Sequence, residues 1–245
     1  ETVSTALELG YRHVDTAQAY GNERAVGAGI RAADVDREEV FLATKLAGGN
    51  RRHDAVVEST RRSLARLDTG YVDLLLIHWP HPVVPDRETL SAMARLREEG
   101  LVRHVGVSNF SLSRLDRVRE ESPAPVFTDQ VQYHSYRDRD SLVDYCAIHD
   151  LALTAYSPLA RGAVADDDLL VRIGRRYGKS PAQVALRWFV QQPGVVAIPK
   201  ASTRAHLREN IDVFDFELTD DEMRAVWRPG ERGGLSAFVR SQLGL

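Results

Sequence analysis

The segment Val72-Asp73-Leu74-Leu75-Leu76-Ile77-His78 is almost continuously apolar and ends at a histidine. A short apolar run without polar alternation is typical of a strand that is buried on both faces, as in a parallel sheet. A helical pattern precedes it, with mainly apolar residues spaced three and four apart. The chain therefore alternates helix and buried strand at this point, and the alternation continues in both directions.

The same pattern predicts further strands along the chain. They are Arg12–Asp15, Val40–Lys45, His104–Val107, Phe127–Val131, Ala152–Tyr156 and Val195–Ile198. Strands that alternate with helices favour the α/β class and a (β/α)8 TIM barrel, which the 245 residues can form as a single domain over 1–245. The chain opens in a predicted helix, Thr2–Leu9, so we expect an eighth strand ahead of Glu1; the first barrel strand is apparently missing from the sequence.

Local signals mark several helix ends. Ser180 and Pro181 predict an N-cap and a first-turn proline, and Thr219 with Glu222 predicts a capping box. Asp166-Asp167-Asp168 predicts a solvated helix start. The tail from Arg228 to Leu245 is long enough that it could fold across the mouth of the barrel.

Composition excludes several classes of function. A net charge of -3 makes nucleic acid an unlikely partner, and no apolar stretch approaches the roughly 20 residues that cross a membrane. The single cysteine, Cys146, cannot form an internal disulfide, which favours a reducing cytoplasm. We expect a cytoplasmic monomer with neither nucleic acid nor membrane as partner.

Residues able to do chemistry stand at successive strand ends. They are Asp15, Lys45, His78, Ser108 with Asn109, Gln130, Tyr156 and Lys200. The carboxyl ends of the strands in a barrel meet at one face, so these residues are expected around one pocket.

The segment Val14-Asp15-Thr16-Ala17-Gln18-Ala19-Tyr20-Gly21-Asn22-Glu23 resembles the aldo-keto reductases, and the resemblance continues in order over nearly the whole chain. Its further motifs are Thr44-Lys45-Leu46, Leu76-Ile77-His78-Trp79-Pro80, Gly106-Val107-Ser108-Asn109-Phe110, Gln130-Val131-Gln132-Tyr133, Ala155-Tyr156-Ser157-Pro158-Leu159, Ile198-Pro199-Lys200 and Glu209-Asn210. The resemblance implies reduction of aldehydes or ketones by hydride transfer from NADPH.

The family's catalytic tetrad falls on Asp15, Tyr20, Lys45 and His78. Carbonyl reduction builds negative charge on oxygen, which an acid must protonate. Tyr20 is the candidate acid, Lys45 the ammonium expected to lower its pKa, and Asp15 the partner of Lys45. A neutral His78 would orient the carbonyl. Taken alone, the Asp15 and Lys45 pair is equally consistent with a structural ion pair.

The resemblance also implies a cofactor site. Ser108, Asn109 and Gln130 would bind the nicotinamide carboxamide, and Tyr156 would stack on the ring. The remaining implied cofactor residues are Ser157, Leu159, Lys200, Thr203, His206, Glu209 and Asn210, with Lys200 and Thr203 at the 2′-phosphate and Glu209 with Asn210 at the adenine.

One cofactor position departs from the family pattern, because His206 stands where many members have arginine. Arginine is a permanently charged fork for phosphate, whereas histidine is mostly neutral at pH 7. We expect NADPH to be preferred, with NADH possible.

The substrate pocket is expected to be open, with Trp79 and Phe110 as walls. Ala47 stands where an aromatic residue often follows the lysine. This favours small to medium aldehydes, keto-sugars or diketones as the small-molecule substrate.

Three alternatives remain. The same fold could form a cofactor-binding sensor or accessory subunit without turnover, a hydrolase or isomerase, or an inert chain.

We predict no metal site, because Pro80 and Pro82 disfavour a helical ligand pair at His78 and His81. Gly27-Ala28-Gly29-Ile30-Arg31-Ala32 matches a dinucleotide fingerprint only in spacing, since it lies in a helical pattern.

Overall fold

The computed structural model describes residues 1–229, in which helices and parallel strands alternate. The predicted tail from Arg228 lies outside the described residues from position 230 onward.

All seven predicted strands are present in the described residues. They are β1 His13–Asp15, β2 Phe41–Leu46, β3 Val72–Ile77, β4 Val102–Ser108, β5 Val126–Gln132, β6 Ala152–Tyr156 and β7 Val195–Ile198. The bounds of β3, β6 and β7 match the prediction, whereas β4 and β5 are longer.

Within residues 1–229, one helix, α1, precedes β1, two helices, α9 and α10, follow β7, and the others lie between strands, with both α7 and α8 between β6 and β7. They are α1 Thr2–Glu8, α2 Glu23–Arg31, α3 His53–Leu67, α4 Asp86–Glu98, α5 Leu112–Glu121, α6 Asp140–Ile148, α7 Asp168–Tyr177, α8 Pro181–Val190, α9 Arg204–Ile211 and α10 Asp220–Val226.

The chain divides into two compact units, Glu1–Gln130 and Val131–Leu245. In the first unit, β1 pairs with β2, β2 with β3, β3 with β4 and β4 with β5, all in parallel. Every residue of β3 is buried, as the apolar run predicts. A single domain over residues 1–245 stays a prediction.

The parallel register brings the carboxyl ends of these strands to one edge. Asp15 is aligned with Ala43, Lys45 with Leu76, and Ser108 with Gln130. Side chains that follow the strands in the first unit therefore converge at this edge.

In the second unit, β6 and β7 are parallel, with Tyr156 aligned with Ile198. Both predicted helix starts are confirmed: Ser180 forms a capping box with Gln183, and Thr219 forms one with Glu222.

The prediction of a solvated helix start at Asp166–Asp168 is wrong for Asp167, which is fully buried. Its carboxylate caps α7 by accepting from the amides of Leu169 and Leu170, and it also accepts from the Tyr136 hydroxyl at 2.6 Å and from Arg228. Because Tyr136 and Arg228 are distant in sequence, the local pattern did not reveal them.

The glycine pair in α2 serves helix packing, as the helical pattern indicates. A Cβ at Gly27 would lie 2.0 Å from the carbonyl oxygen of Leu67, the last residue of α3, and a Cβ at Gly29 would lie 2.7 Å from the Cβ of Val3. Both positions require the absence of a side chain because neighbouring helices approach closely.

Candidate active site

The four predicted tetrad residues lie together in the first unit. Asp15 ends β1, Lys45 is the penultimate residue of β2, and His78 directly follows β3. Tyr20 is the last residue of a short 3-10 helix, Gln18–Tyr20, that begins soon after β1.

Asp15 and Lys45 form a buried ion pair. The Lys45 side chain is 1% exposed and that of Asp15 is 12% exposed. The Lys45 ammonium donates to Asp15 Oδ1 and, at 2.9 Å, to the carbonyl oxygen of Thr16. Burial lowers the pKa of Lys45, and the Asp15 carboxylate acts in the opposite direction.

Gln130 holds the other oxygen of the same carboxylate. Its Nε2 donates to Asp15 Oδ2 at 2.9 Å, so both carboxylate oxygens have a donor. Gln130 is 2% exposed. The sequence placed Gln130 at a strand end but did not predict that it would fix the direction of Asp15.

Tyr20 lies above this pair. The Lys45 Nζ atom is 5.1 Å from the centroid of the Tyr20 ring, and the residue is 52% exposed. Burial raises the pKa of Tyr20, and the Asp15 carboxylate raises it further. The expected lowering of this pKa is therefore wrong in direction, because burial and the Asp15 carboxylate both disfavour the phenolate.

The 3-10 helix that carries Tyr20 is anchored by Gln18. The Gln18 Oε1 accepts from the amide of Ala47 and from Asn50 Nδ2, both at 2.9 Å, and its Nε2 donates to Ser63. The loop after β2 is thus tied to the segment that presents the phenol. Gln18 lies in the sequence motif that contains Tyr20, but the motif alone did not predict this anchoring role.

Glu23 supports β2 from the side of α2. It is 1% exposed, and its carboxylate accepts from Thr44 Oγ1 and from Arg66 Nε, both at 2.7 Å. Thr44 precedes Lys45, so this contact fixes the strand beside the ammonium. The sequence feature that could have revealed this contact is the glutamate at the end of the motif that contains Tyr20.

His78 faces Tyr20 edge to face, with ring centroids 5.7 Å apart and an interplanar angle of 84°. Burial, Lys45 and Arg51 lower the pKa of His78 to about 4, and Asp15 opposes them. The ring is therefore a neutral imidazole at neutral pH, in agreement with the sequence expectation.

Ser108, Asn109 and Gln130 form a connected group at the adjacent strand ends. Ser108 Oγ donates to the Gln130 carbonyl at 2.7 Å, and Asn109 Nδ2 donates to the His78 carbonyl at 3.1 Å. Asn109 has a φ of 64°, in the left-handed region where asparagine is tolerated. The group links β3, β4 and β5 at the edge that carries the tetrad.

The two predicted pocket walls differ in exposure. Trp79 is 55% exposed, and its ring lies 6.4 Å from that of His78. Phe110 is 3% exposed, with the Arg114 guanidinium 5.0 Å from its ring centroid. Phe110 offers little surface to a substrate, so Trp79 is the better candidate wall.

The remaining predicted cofactor residues belong to the second unit. Tyr156 ends β6 and is partly buried, and Ser157 has a φ of 52°. Leu159 precedes a 3-10 turn. Lys200 is exposed shortly after β7, and Thr203 caps α9 by accepting from the His206 amide at 3.2 Å. Further along α9, Glu209 is partly exposed and Asn210 is 8% exposed.

Residues 1–229 contain no group of three or more histidine, cysteine, aspartate or glutamate side chains placed to hold a metal ion. None of the helices in this described part combines the length and apolar character required to cross a membrane.

The fold and the site together define a class of protein. Parallel strands alternate with helices, and an Asp15–Lys45 ion pair lies beneath a tyrosine and a neutral histidine. The model of the aldo/keto reductase family matches residues 1–228. The chain belongs to this family and is an NAD(P)H-dependent carbonyl oxidoreductase.

Individual relatives agree with this assignment. The chain is 38% identical over 226 residues to glyoxal reductase of Bacillus subtilis (strain 168), covering 92% of this chain and 81% of the relative. A crystal structure of a candidate 2,5-diketo-D-gluconic acid reductase B has a TM-score of 0.92 at 45% identity, covering 95% of this chain and 83% of that one.

A solved complex adds the cofactor class. The structure of Bombyx mori aldo-keto reductase in complex with NADP has a TM-score of 0.87 at 34% identity, covering 95% of this chain and 83% of that chain. The fold class is thus that of the (β/α)8 barrel, as predicted, and the cofactor is a nicotinamide dinucleotide.

Proposed function

We propose that the protein reduces small aldehydes and ketones to alcohols with NADPH, with Tyr20 as the general acid. The observation that supports this most directly is the position of the Lys45 ammonium, 5.1 Å from the Tyr20 ring centroid and paired with Asp15. A structural ion pair alone would not require a half-exposed phenol above it.

The charges around Tyr20 suit the direction of reduction. A raised pKa keeps the phenol protonated at neutral pH, so the proton is available when the substrate oxygen becomes negative. As that proton leaves, Lys45 is close enough to stabilise the phenolate. The hydroxyl is then reprotonated from solvent, and the substrate has gained one hydride and one proton.

His78 would direct the carbonyl oxygen toward Tyr20. A neutral imidazole can donate a hydrogen bond without presenting a second positive charge beside Lys45. Its pKa of about 4 keeps the ring in this form throughout the neutral range. The 5.7 Å separation of the His78 and Tyr20 rings allows both to approach one oxygen atom.

The residues at the strand ends fit a nicotinamide in their chemistry. The amide and hydroxyl groups of Ser108, Asn109 and Gln130 are the donors and acceptors that a carboxamide needs. The dihydronicotinamide supplies the hydride when it is bound. In the second unit, taken by itself, we propose cofactor binding for Tyr156, Ser157 and Leu159, with Tyr156 as the stacking face.

We assign the 2′-phosphate to the start of α9. Lys200, Thr203 and His206 lie there and are exposed, and a helix N-terminus favours an anion. Glu209 and Asn210 are assigned to the adenine. Lys200 supports NADPH over NADH, while His206 makes the preference weaker than an arginine would.

The substrate class is inferred from the walls of the site and from the relatives. Ala47 leaves room beside Lys45, and Trp79 presents an exposed aromatic face. Glyoxal reductase acts on a small dicarbonyl by its name, and we extend that class to this chain. The buried Cys146, the single cysteine of the sequence, fits a reducing cytoplasm, where we place the protein as a monomer.

Steady-state oxidation of NADPH with glyoxal, methylglyoxal and a set of larger aldehydes tests the proposal. Tyr20→Phe should lower kcat by about 10²- to 10⁴-fold while NADPH still binds, measured by its fluorescence. Tyr11→Phe is the matched control and should retain activity. Retained turnover in Tyr20→Phe would remove Tyr20 from this role, and NADPH binding without turnover of any carbonyl would indicate a cofactor-binding sensor.

A further inference from the structure

Arg51 is a buried arginine that the catalytic assignment does not use. It lies in the loop between β2 and α3 and is 2% exposed. Arginine is almost never fully buried unless its charge is paired, because removing a guanidinium from water is costly.

The contacts of Arg51 connect three parts of the first unit. Its NH2 group donates to the carbonyl oxygen of Trp79 at 2.9 Å, and its own carbonyl oxygen accepts from Thr89 Oγ1 in α4 at 2.6 Å. Trp79 follows His78 directly. Arg51 therefore holds the carbonyl group of the residue that follows the histidine.

The charge of Arg51 has no carboxylate within ion-pair distance among residues 1–229, and its Nε and NH1 atoms have no protein hydrogen-bond partner there. Arg114 offers an internal comparison, because it also binds the loop after β3, donating to the His81 carbonyl at 3.0 Å. The Arg114 guanidinium is neutralised by two hydrogen bonds to Asp86, at 2.6 and 2.8 Å. Of these two arginines, only Arg114 forms an ion pair with Asp86, and the Asp86 carboxylate acts on the charge of Arg51 from beyond ion-pair distance.

We propose that Arg51 is a positioning residue for the reaction: it fixes the peptide that joins Trp79 to Pro80, and thereby the indole of Trp79 and the imidazole of the preceding His78, which face the substrate. The inference rests on the proposed function of His78 and Trp79. A guanidinium with unsatisfied donors is expensive to bury, so its burial beside this peptide is best explained by a gain at the site.

Electrostatics supports the same role. Four ionisable groups from separate elements face His78: Asp15 at the end of β1, Tyr20 on the 3-10 helix, Lys45 on β2, and Arg51. Lys45 and Arg51 lower the pKa of His78 while Asp15 raises it. Arg51 thus adds a positive charge near His78, and Asp86 offsets part of that charge from beyond ion-pair distance.

Three substitutions separate the charge of Arg51 from its hydrogen bond. Arg51→Lys keeps the charge, Arg51→Gln keeps a donor without charge, and Arg51→Met removes both. Arg52→Gln is the matched control, because the Arg52 side chain is 72% exposed and lies 3.8 Å from Glu88. Circular dichroism and thermal unfolding establish that each variant is folded.

The measurements are kcat and KM for a small aldehyde, the Kd for NADPH, and the titration midpoint of His78 by NMR, assigned with His78→Gln. We expect Arg51→Met to lower kcat by about tenfold or more, because small misplacements at a reacting centre are costly, while the Kd for NADPH changes less than about twofold. The His78 midpoint should rise by roughly half a unit in Arg51→Gln and Arg51→Met and stay unchanged in Arg51→Lys and Arg52→Gln.

A loss of kcat in folded Arg51→Gln or Arg51→Met that is absent in Arg52→Gln supports the proposal. Wild-type kcat in both variants, with only the unfolding temperature lowered, would overturn it and leave Arg51 a structural residue. If Arg51→Met does not fold, Arg51→Gln decides. If the wild type reduces no carbonyl, the proposed function fails, and the His78 midpoint in Arg51→Gln then decides whether Arg51 acts on the histidine.

Discussion

The Asp15–Lys45 pair and the start of α9 are both charged regions assigned to one reaction, and they hold their charges differently. Lys45 is buried, with donors on both oxygens of its partner carboxylate. Lys200, Thr203 and His206 are exposed, and the contact that organises them is the helix cap at Thr203. A charge that must stabilise a transition state is preorganised away from water, whereas a charge that captures phosphate must remain accessible.

The strongest test of this difference is removal of the buried ammonium. We expect Lys45→Met to lower kcat by at least about 10²- to 10³-fold, because the forming phenolate loses its stabilising charge. The variant should also lose about 3–5 kcal/mol of stability, because Asp15 is left without its partner. Arg31→Met, which breaks the exposed pair with Asp68, should cost at most about 1 kcal/mol. Similar losses in both variants, measured by urea unfolding, would erase the distinction.

A second test uses the acid sensitivity of the buried region. The pKa of His78 is lowered to about 4 in the folded protein, below its ordinary 6.5. The unfolded chain therefore binds a proton at a higher pH than the folded one, and the stability contributed by the neutral ring is present above pH 6.5 and lost as the pH falls toward 4.

We expect wild type to lose on the order of 1 kcal/mol more than His78→Gln between pH 7 and pH 4.5, a reduced figure because solvent screens the half-buried ring. Urea unfolding of both proteins at the two pH values measures this. Arg52→Gln should follow the wild type. Parallel curves for wild type and His78→Gln would contradict the assigned shift.

Substitutions at the exposed start of α9 should change cofactor binding and leave the rate of the reaction unchanged. Lys200→Met is expected to raise the KM for NADPH by roughly fivefold and to leave kcat and the KM for NADH near wild type, since an exposed charge–phosphate contact is screened by water. Its stability should stay within about 0.5 kcal/mol of wild type. A large fall in kcat with saturating NADPH would show that the two regions are less separate than their burial suggests.

The smallest effect is expected at His206. His206→Arg should increase the ratio of kcat/KM for NADPH to that for NADH by a few fold, about 1 kcal/mol, because arginine adds a permanent fork for the 2′-phosphate. The gain should shrink at high salt. An unchanged ratio at low salt would place His206 away from the phosphate.

Much of the fold could be predicted from the sequence, and the exceptions have physical causes. The strands β3, β6 and β7 are recognisable as short, mostly apolar runs. Every residue of β3 is buried, whereas Val196 in β7 is 38% exposed. β4 begins earlier than predicted, because Val102 pairs with Val72 and the strand continues through Arg103, whose guanidinium binds Asp73 at 2.9 Å. A polar residue inside a strand is acceptable when a distant partner satisfies it, and that partner is invisible in local periodicity.

The sequence predicted which residues of the candidate site come together, but it did not predict how their pKa values shift. The tetrad residues were found from their strand ends and motifs. The direction of the Tyr20 pKa shift was not predicted, because it depends on the burial of the phenol and on its distance from the Asp15 carboxylate, which the sequence does not show. Arg51 escaped notice because nothing in an exposed-looking Asn-Arg-Arg-His stretch distinguishes its buried arginine from the neighbouring solvated one.

The missing side chain at Gly27 has a consequence for anyone who redesigns this enzyme. The helix that carries it also carries Glu23, whose carboxylate accepts a hydrogen bond from Thr44, the residue before Lys45. A methyl group at position 27 would push that helix outward from the end of α3 and pull this support with it. Mutational libraries aimed at turnover should therefore leave Gly27 unchanged. Gly48 and Gly49 are better positions for substitution, because a new Cβ there meets no atom within 4 Å.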